Sequence, residues 1–246
     1  MQPVPRTRHR FSRLLRGVFA WFAFLLVMVP LTLAVAVLPG ENRRRAAARN
    51  AARAFLRLTG TDLTVLGLES LPQEPCVVAA NHASYLDGLV LTAVLPPRFA
   101  FVIKREMTRV PVAHFLLRRI GSAFVERFDS RGGARDARRV LALAQSRESL
   151  AFFPEGTFGR EPGLRRFQNG AFAAAVRGGI PIVPVVIRGT RAMLPADAWL
   201  PRPESLVVIV KPAVRHNGED DAVAALRKAC RSSILADLGE PDLAPP

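Results

Sequence analysis

The sequence Asn81-His82-Ala83-Ser84-Tyr85-Leu86-Asp87 places a histidine and a carboxylate five residues apart, directly after the apolar run Cys76–Ala80. On one continuous helix, at about 100° per residue, that spacing would splay the two side chains. It works if His82 sits on a loop, Ser84 caps a helix and Asp87 occupies the first turn. Asp87 then reaches back to one imidazole nitrogen while the other faces a substrate hydroxyl. A carboxylate so placed fixes the tautomer and stabilises the imidazolium formed when His82 takes a proton. The same residues also read as a plain Ser84-x-x-Asp87 cap with a histidine beside it. The other histidines are less suited: His9 lies in a basic stretch, His114 in an apolar helical run and His216 in a late turn.

Three further blocks carry candidate groups. In Phe152-Phe153-Pro154-Glu155-Gly156-Thr157 a hydrophobic strand opens into a loop. Pro154 removes a backbone donor and Gly156 permits close approach, so Glu155 is presented where it can bind acceptor hydroxyls; an ordinary Pro/Gly turn is the plainer reading. The block Gly121-Ser122-Ala123-Phe124-Val125-Glu126-Arg127 puts Arg127 at another strand end. Its guanidinium suits bidentate phosphate binding, although in so arginine-rich a chain a solvated surface position explains it equally. Ile180-Pro181-Ile182-Val183-Pro184-Val185 is a strand entered through prolines and by itself reads as core.

These blocks need a scaffold, and the pattern supplies one. β-rich runs at Leu63–Leu68, Cys76–Ala80, Ala100–Ile103, Ala123–Val125, Leu150–Phe153, Ile182–Ile187 and Leu206–Val210 alternate with helical stretches near Leu86–Leu95, Val112–Ile120, Ala134–Ser146, Ala171–Arg177 and Asp220–Leu235. Such alternation predicts an α/β fold with a largely parallel central sheet covered by helices. Strand ends of an open parallel sheet are where substrates usually sit. The Pro-rich breaks Pro96-Pro97 and Pro195–Pro203 read as loops, and residues 241–246 as a disordered tail.

Ahead of this domain, assigned to residues 61–240, three segments differ in composition. Residues 1–17 form a basic tail, 18–38 an uncharged apolar run, and 39–60 an Arg/Ala-rich amphipathic stretch. Twenty-one residues at about 1.5 Å each give roughly 30 Å, enough to cross a bilayer. The competing reading is a signal peptide, since Ala34-Val35-Ala36 resembles a cleavage site. Arginines flank the apolar run on both sides, so charge gives no orientation. A helix kinked at Pro30, with both basic ends on the cytoplasmic face, accounts for the symmetry. The 39–60 segment is expected along anionic headgroups with Phe55, Leu56 and Leu58 dipping inward; a solvated helical face is the alternative.

The formal charge of +15 derives almost wholly from arginine, the only lysines being Lys104, Lys211 and Lys228. It suits an anionic membrane, a phosphate-bearing substrate or nucleic acid. No stacking platform of aromatics interleaves with a basic stripe, which argues against nucleic acid. Cys76 and Cys230 lack a C-x-x-C partner and read as reduced, structural thiols.

Together the four blocks, in order and over residues 61–215, resemble the glycerolipid acyltransferase family, which includes the bacterial PlsC-like lysophosphatidic acid acyltransferases. His82 and Asp87 match its H-x4-D signature, Arg127 its second block, Phe153–Thr157 its FPEGT block and Ile182–Val185 its fourth. The resemblance implies that fold, a membrane helix at the N-terminus, and a catalytic domain facing the cytoplasm from the inner membrane. It implies His82 as general base toward an acceptor hydroxyl that attacks the thioester of acyl-CoA or acyl-carrier protein, with Asp87 orienting His82. Arg127 would hold the acceptor phosphate; Glu155, Gly156 and Thr157 would shape the glycerol site, with Asn81 and Ser84 also on the substrate side. No metal or redox cofactor is implied, and the expected partners are membrane lipids and the acyl donor. One departure stands out: Phe158 occupies the position after FPEGT where the family often has arginine. Arg160, Arg165 or Arg166 could substitute, or the acceptor could be another lysolipid, such as a lyso-aminolipid. A thioesterase or lipid hydrolase, with water in place of the acceptor, is the nearest enzymatic rival, and a structural membrane protein the remaining one.

Overall fold

The computed structural model describes residues 6–125, 138, 140–146, 148–216, 218 and 220–244, with backbone alone for residues 6–13. Seven strands form one sheet: β1 (Leu63–Leu66), β2 (Val77–Ala80), β3 (Phe99–Lys104), β4 (Ala123–Val125), β5 (Ser149–Phe152), β6 (Ile182–Arg188) and β7 (Leu206–Val210). Their order is β1-β7-β6-β2-β5-β3-β4. All neighbours are parallel except β6 and β7, so the expected α/β architecture is present.

The central strands are apolar throughout because both sheet faces are covered. Side chains alternate across the sheet. Val78 and Ala80 of β2 enter the layer shared with α2 (Glu41–Leu58) and α3 (Leu86–Val94). Val77 and Ala79 enter the opposite layer, with Phe172 of α5 (Gly170–Gly178) and Cys230 and Ile234 of α7 (Ala222–Leu238). Also among the described residues are α4 (Pro111–Arg119) and the short α6 (Thr190–Met193). Both cysteines are free and buried, and burial pushes the Cys76 thiol up to about 11 and Cys230 up to about 12. They are inert packing groups.

Three expectations are corrected. The basic stretch is no separate tail: α1 runs unbroken from Arg6 to Val37 and passes through Pro30. Within it, Leu14–Val37 is long and apolar enough to cross a membrane. Its inner face is packed through Ala20, Ala23 and Val35, while Val18, Phe22, Leu25, Val29 and Leu33 are exposed. The chain then turns at Gly40, whose φ of 74° suits glycine, and α2 packs back against α1 and α3.

The α2 side chains point differently from expectation. Phe55 and Leu56 lie in the protein core, and only Leu58 is exposed. Arg49 donates to Val94 O at 3.2 Å and Arg53 to Ala93 O at 2.8 Å, satisfying the last carbonyls of α3. Arg45, almost fully buried, donates to Ile120 O at 2.8 Å. These guanidinium groups serve protein carbonyls instead of lipid headgroups. Residues 241–244, expected to be disordered, run beside Leu164: its N–H donates to Pro241 O at 2.8 Å and Leu243 N–H donates to its carbonyl at 3.0 Å.

Candidate active site

β2 ends at Ala80 and delivers His82 to the carboxyl end of the parallel strands, next to the ends of β5 and β6. Asn81 fixes the exit. Its Nδ2 donates to Ile187 O at 2.9 Å and its Oδ1 accepts from Ile187 N–H at 2.7 Å, extending the β2–β6 ladder by one side-chain rung. Ser84 is fully buried; its hydroxyl donates to Leu194 O at 2.8 Å and accepts from Leu86 N–H at 3.2 Å. Both residues were expected on the substrate side, but their polar atoms are committed to backbone. They position the loop.

Asp87, in the first turn of α3, is completely buried. Its Oδ2 accepts from His82 Nδ1 at 2.8 Å, from Ala83 N–H at 2.6 Å and from Ser84 N–H at 2.8 Å. Because a carboxylate only accepts, Nδ1 carries the imidazole proton and Nε2 carries the lone pair. The ring is stacked on Phe153, with centroids 4.3 Å apart, and met edge-on by Phe158 at 4.6 Å. An oriented imidazole of this kind can remove a proton from a hydroxyl brought to Nε2.

Glu155 is also buried, and both its oxygens are occupied: Oε1 by His82 N–H at 2.6 Å, Oε2 by Arg165 N–H at 2.8 Å. It joins the His82 loop to residues 159–168 instead of facing a substrate hydroxyl. Burial pushes its carboxyl up to about 7, opposed by those two N–H donors and by Arg191, while the Asp87 charge pushes the same way as burial. Gly156, φ 77°, lets the chain turn sharply after Glu155 and lines the cavity described below. Thr157 is exposed, with its hydroxyl 3.4 Å from Phe158 O. Arg127 lies outside the described residues.

The C-terminal segment braces this region. Glu240 accepts from Gly163 N–H at 2.7 Å and from Arg191 Nε at 2.8 Å, and Arg191 Nη1 donates to Gly159 O at 2.8 Å.

His82 opens on a cavity of about 380 Å³. Its walls are mostly apolar, from Phe24, Val27 and Leu31 of α1, Ala52 of α2 and Leu89 of α3. Lys104, at the carboxyl end of β3, lines it too, and its ammonium group has no hydrogen bond or ion pair among the described residues. The sequence reading missed Lys104; the available signal was a rare lysine at the end of a strand that feeds the site. The three arginines considered as substitutes for the missing one are not among the cavity-lining residues. Arg160 pairs with Asp197 at 3.6 Å with its side chain 80% exposed, and Arg166 is also exposed. Arg165 packs against Gly159. No cluster of metal-ligating side chains occurs among the described residues.

The acyltransferase family matches residues 62–188. A chloroplastic 1-acyl-sn-glycerol-3-phosphate acyltransferase of Brassica napus is 33% identical over 152 residues, 60% of this chain and 44% of that protein. One from Chlamydomonas reinhardtii is 28% identical over 237 residues, 89% of this chain and 69% of its own length. The crystal structure of a 1-acyl-sn-glycerophosphate acyltransferase from Thermotoga maritima superposes with a TM-score of 0.78 at 20% identity, covering 93% of this chain and 95% of that one. At that identity the likeness speaks for the fold.

Proposed function

Because the chain belongs to the acyltransferase family, we propose that it moves a fatty acyl group from acyl-CoA or acyl-carrier protein to the free hydroxyl of 1-acyl-sn-glycerol-3-phosphate, giving phosphatidic acid for phospholipid synthesis. The observation that carries this reading is His82: its Nδ1 is tied to buried Asp87 while the ring lines an apolar cavity. The acceptor hydroxyl gives its proton to Nε2 as its oxygen attacks the thioester carbonyl. The tetrahedral intermediate collapses, the C–S bond breaks, and the leaving thiolate takes the proton back from the imidazolium. No covalent acyl-enzyme is needed.

An apolar cavity suits an acyl chain, since each buried CH₂ contributes about 0.8 kcal/mol. Lys104 offers the acceptor phosphate a cation in the same cavity. Membrane attachment through α1 belongs to this proposal. The helix is held at its middle and near its C-terminal end: Trp21 Nε1 donates to Trp199 O at 2.9 Å, and Arg119 Nη2 donates to Ala36 O at 2.7 Å. A 15-residue separation at 1.5 Å per residue puts those tethers about 22 Å apart along the domain. A helix so tethered lies in the plane of one leaflet with its outer face in lipid, the domain remaining on the cytoplasmic side. A signal peptide fits less well, since removing α1 would strip a wall from the cavity.

One observation favours a second reading. Phe158 packs on His82 and Tyr85 where a phosphate-binding arginine was expected, which suits an acceptor with a less anionic head, such as a lyso-aminolipid. Acyl transfer from labelled acyl-CoA and acyl-carrier protein to a panel of lysolipids, with His82→Ala as control, decides between them. Diacylated product from 1-acyl-sn-glycerol-3-phosphate, made only by the native protein, is expected. Preference for an aminolipid would replace the acceptor, and free fatty acid alone would indicate a hydrolase.

A further inference from the structure

The loop between α6 and β7 contains Trp199, whose side chain is largely in the open, 82% exposed. The loop is not loose. Arg202 N–H donates to Met193 O at 2.7 Å, closing its base, and Ala198 N–H donates to Pro195 O at 3.0 Å, forming a turn within it. Ten residues with adjoining ends make a compact Ω-loop, and Pro195 and Pro201 restrict its backbone further. Its base is tied to the catalytic motif, because Leu194 O is the acceptor of the Ser84 hydroxyl.

The tip meets α1. Trp21 Nε1 donates to Trp199 O, and Leu200 lies so close to Gly17 that a Cβ there would come within 2.8 Å of it. Trp21 follows Leu14 and Val18 and precedes Leu25 at helical spacing, all four exposed, so it belongs to the outer apolar stripe of α1. The edge of that stripe therefore continues onto the loop. Tryptophan concentrates at the headgroup level of bilayers, where its ring is buried and its N–H satisfied. Arg16 and Arg202 share the cleft beneath the loop with Asp62 and Glu204, so their charges offset one another and the aromatic ring supplies the attraction.

We propose that the 193–202 loop is a second membrane contact, with Trp199 seated at the bilayer interface beside α1. Being joined to Ser84, it sets the height of the His82 loop over the lipid surface. This inference rests on the reading that the outer face of α1 meets the bilayer.

The chain has only two tryptophans, which makes the test direct. Trp21→Phe leaves Trp199 as sole reporter, and Trp199→Phe leaves Trp21. Each full-length variant is reconstituted in phosphatidylcholine vesicles carrying bromines near the top of the acyl chains. Fluorotryptophan in the unsubstituted protein, read by broadening of its fluorine resonances from a lipid-borne spin label, repeats the measurement with the Trp21 bond intact. Both tryptophans are expected to be quenched by the lipid and shielded from aqueous acrylamide. A quenched Trp21 beside an acrylamide-accessible, lipid-insensitive Trp199 would overturn this inference and leave the α1 anchor standing. Failure of lipid quenching at both would overturn the anchor, and this inference with it.

Discussion

Replacing Asp87 separates its structural from its catalytic work. Oδ2 takes three hydrogen bonds, while Oδ1 is buried without a partner among the described residues. In Asp87→Asn the amide oxygen can take the place of Oδ2 and the NH₂ that of Oδ1, so all three donors keep an acceptor. The bonds change from charge-assisted to neutral, and stability should fall by about 1–2 kcal/mol. Asp87→Ala instead strands the buried N–H groups of Ala83 and Ser84, at about 1–3 kcal/mol each. That is roughly 2–6 kcal/mol, a large part of the 5–15 kcal/mol typical of a domain. Catalytically, Asn holds the ring but carries no charge to stabilise the imidazolium. If most of the general-base contribution is lost, kcat falls by about 10²–10⁴-fold. The assay is kcat in mixed micelles at saturating donor and acceptor, with urea unfolding followed in parallel. Asn protein that folds well but turns over at least a hundredfold more slowly is expected. Retention of more than a tenth of native kcat would reduce Asp87 to a helix cap and refute the general-base argument.

Three other outcomes follow from the geometry. Burial raises Glu155 from 4.5 to about 7; a raised carboxyl favours the folded state when protonated, so its contribution is full below 4.5 and is lost as pH rises through 7. Native protein should therefore lose up to about 3 kcal/mol relative to Glu155→Gln between pH 4.5 and 7.5, measured by urea unfolding, and a pH-independent difference would place the carboxyl in a wetter setting. Lys104→Ala should raise KM for a phosphate-bearing acceptor by about 10–100-fold, matching loss of one charge-assisted bond, with little change in donor KM; unchanged acceptor KM removes Lys104 from the site. Val27→Phe narrows the cavity from the α1 side and should shift the preferred acyl chain downward, by about fourfold in kcat/KM for each CH₂ no longer accommodated; an unshifted chain-length profile means the chain lies elsewhere.

The strands could be read in the sequence to within two residues at their ends, because apolar runs such as Val77–Ala80 and Ile182–Ile187 stand between clear loop signals. The reach of Asp87 to His82 was legible as one of two readings, since a loop-to-first-turn spacing permits both that contact and a plain cap once a helix starts near Leu86. What escaped depends on direction. The α2 arginines have one amphipathic pattern whether they meet water, lipid phosphates or the carbonyls of α3, and only packing distinguishes these. Asn81 and Glu155 looked like ligand-binding groups because their polarity is visible in sequence, whereas their backbone partners at Ile187, His82 and Arg165 are not. The tail from Pro241 was read by composition as disordered, but Leu243 packs against Gly163, which at φ 138° leaves no room for a Cβ. Lys104 gave only a single residue type at a strand end, a weak signal without the cavity beside it.

The brace formed by Glu240 and Pro241 also bears on how the site region opens. These residues hold Gly163, Leu164 and Arg191, and through Arg165 the loop that grips Glu155. Proteins open locally at free energies below that of global unfolding, and segments held by few contacts open first. Release of residues 240–243 would free the 159–168 loop and loosen one of the two donors on Glu155 while the central sheet stays intact. Distant from His82 in sequence, this short segment thus governs how firmly the loop beside it is held.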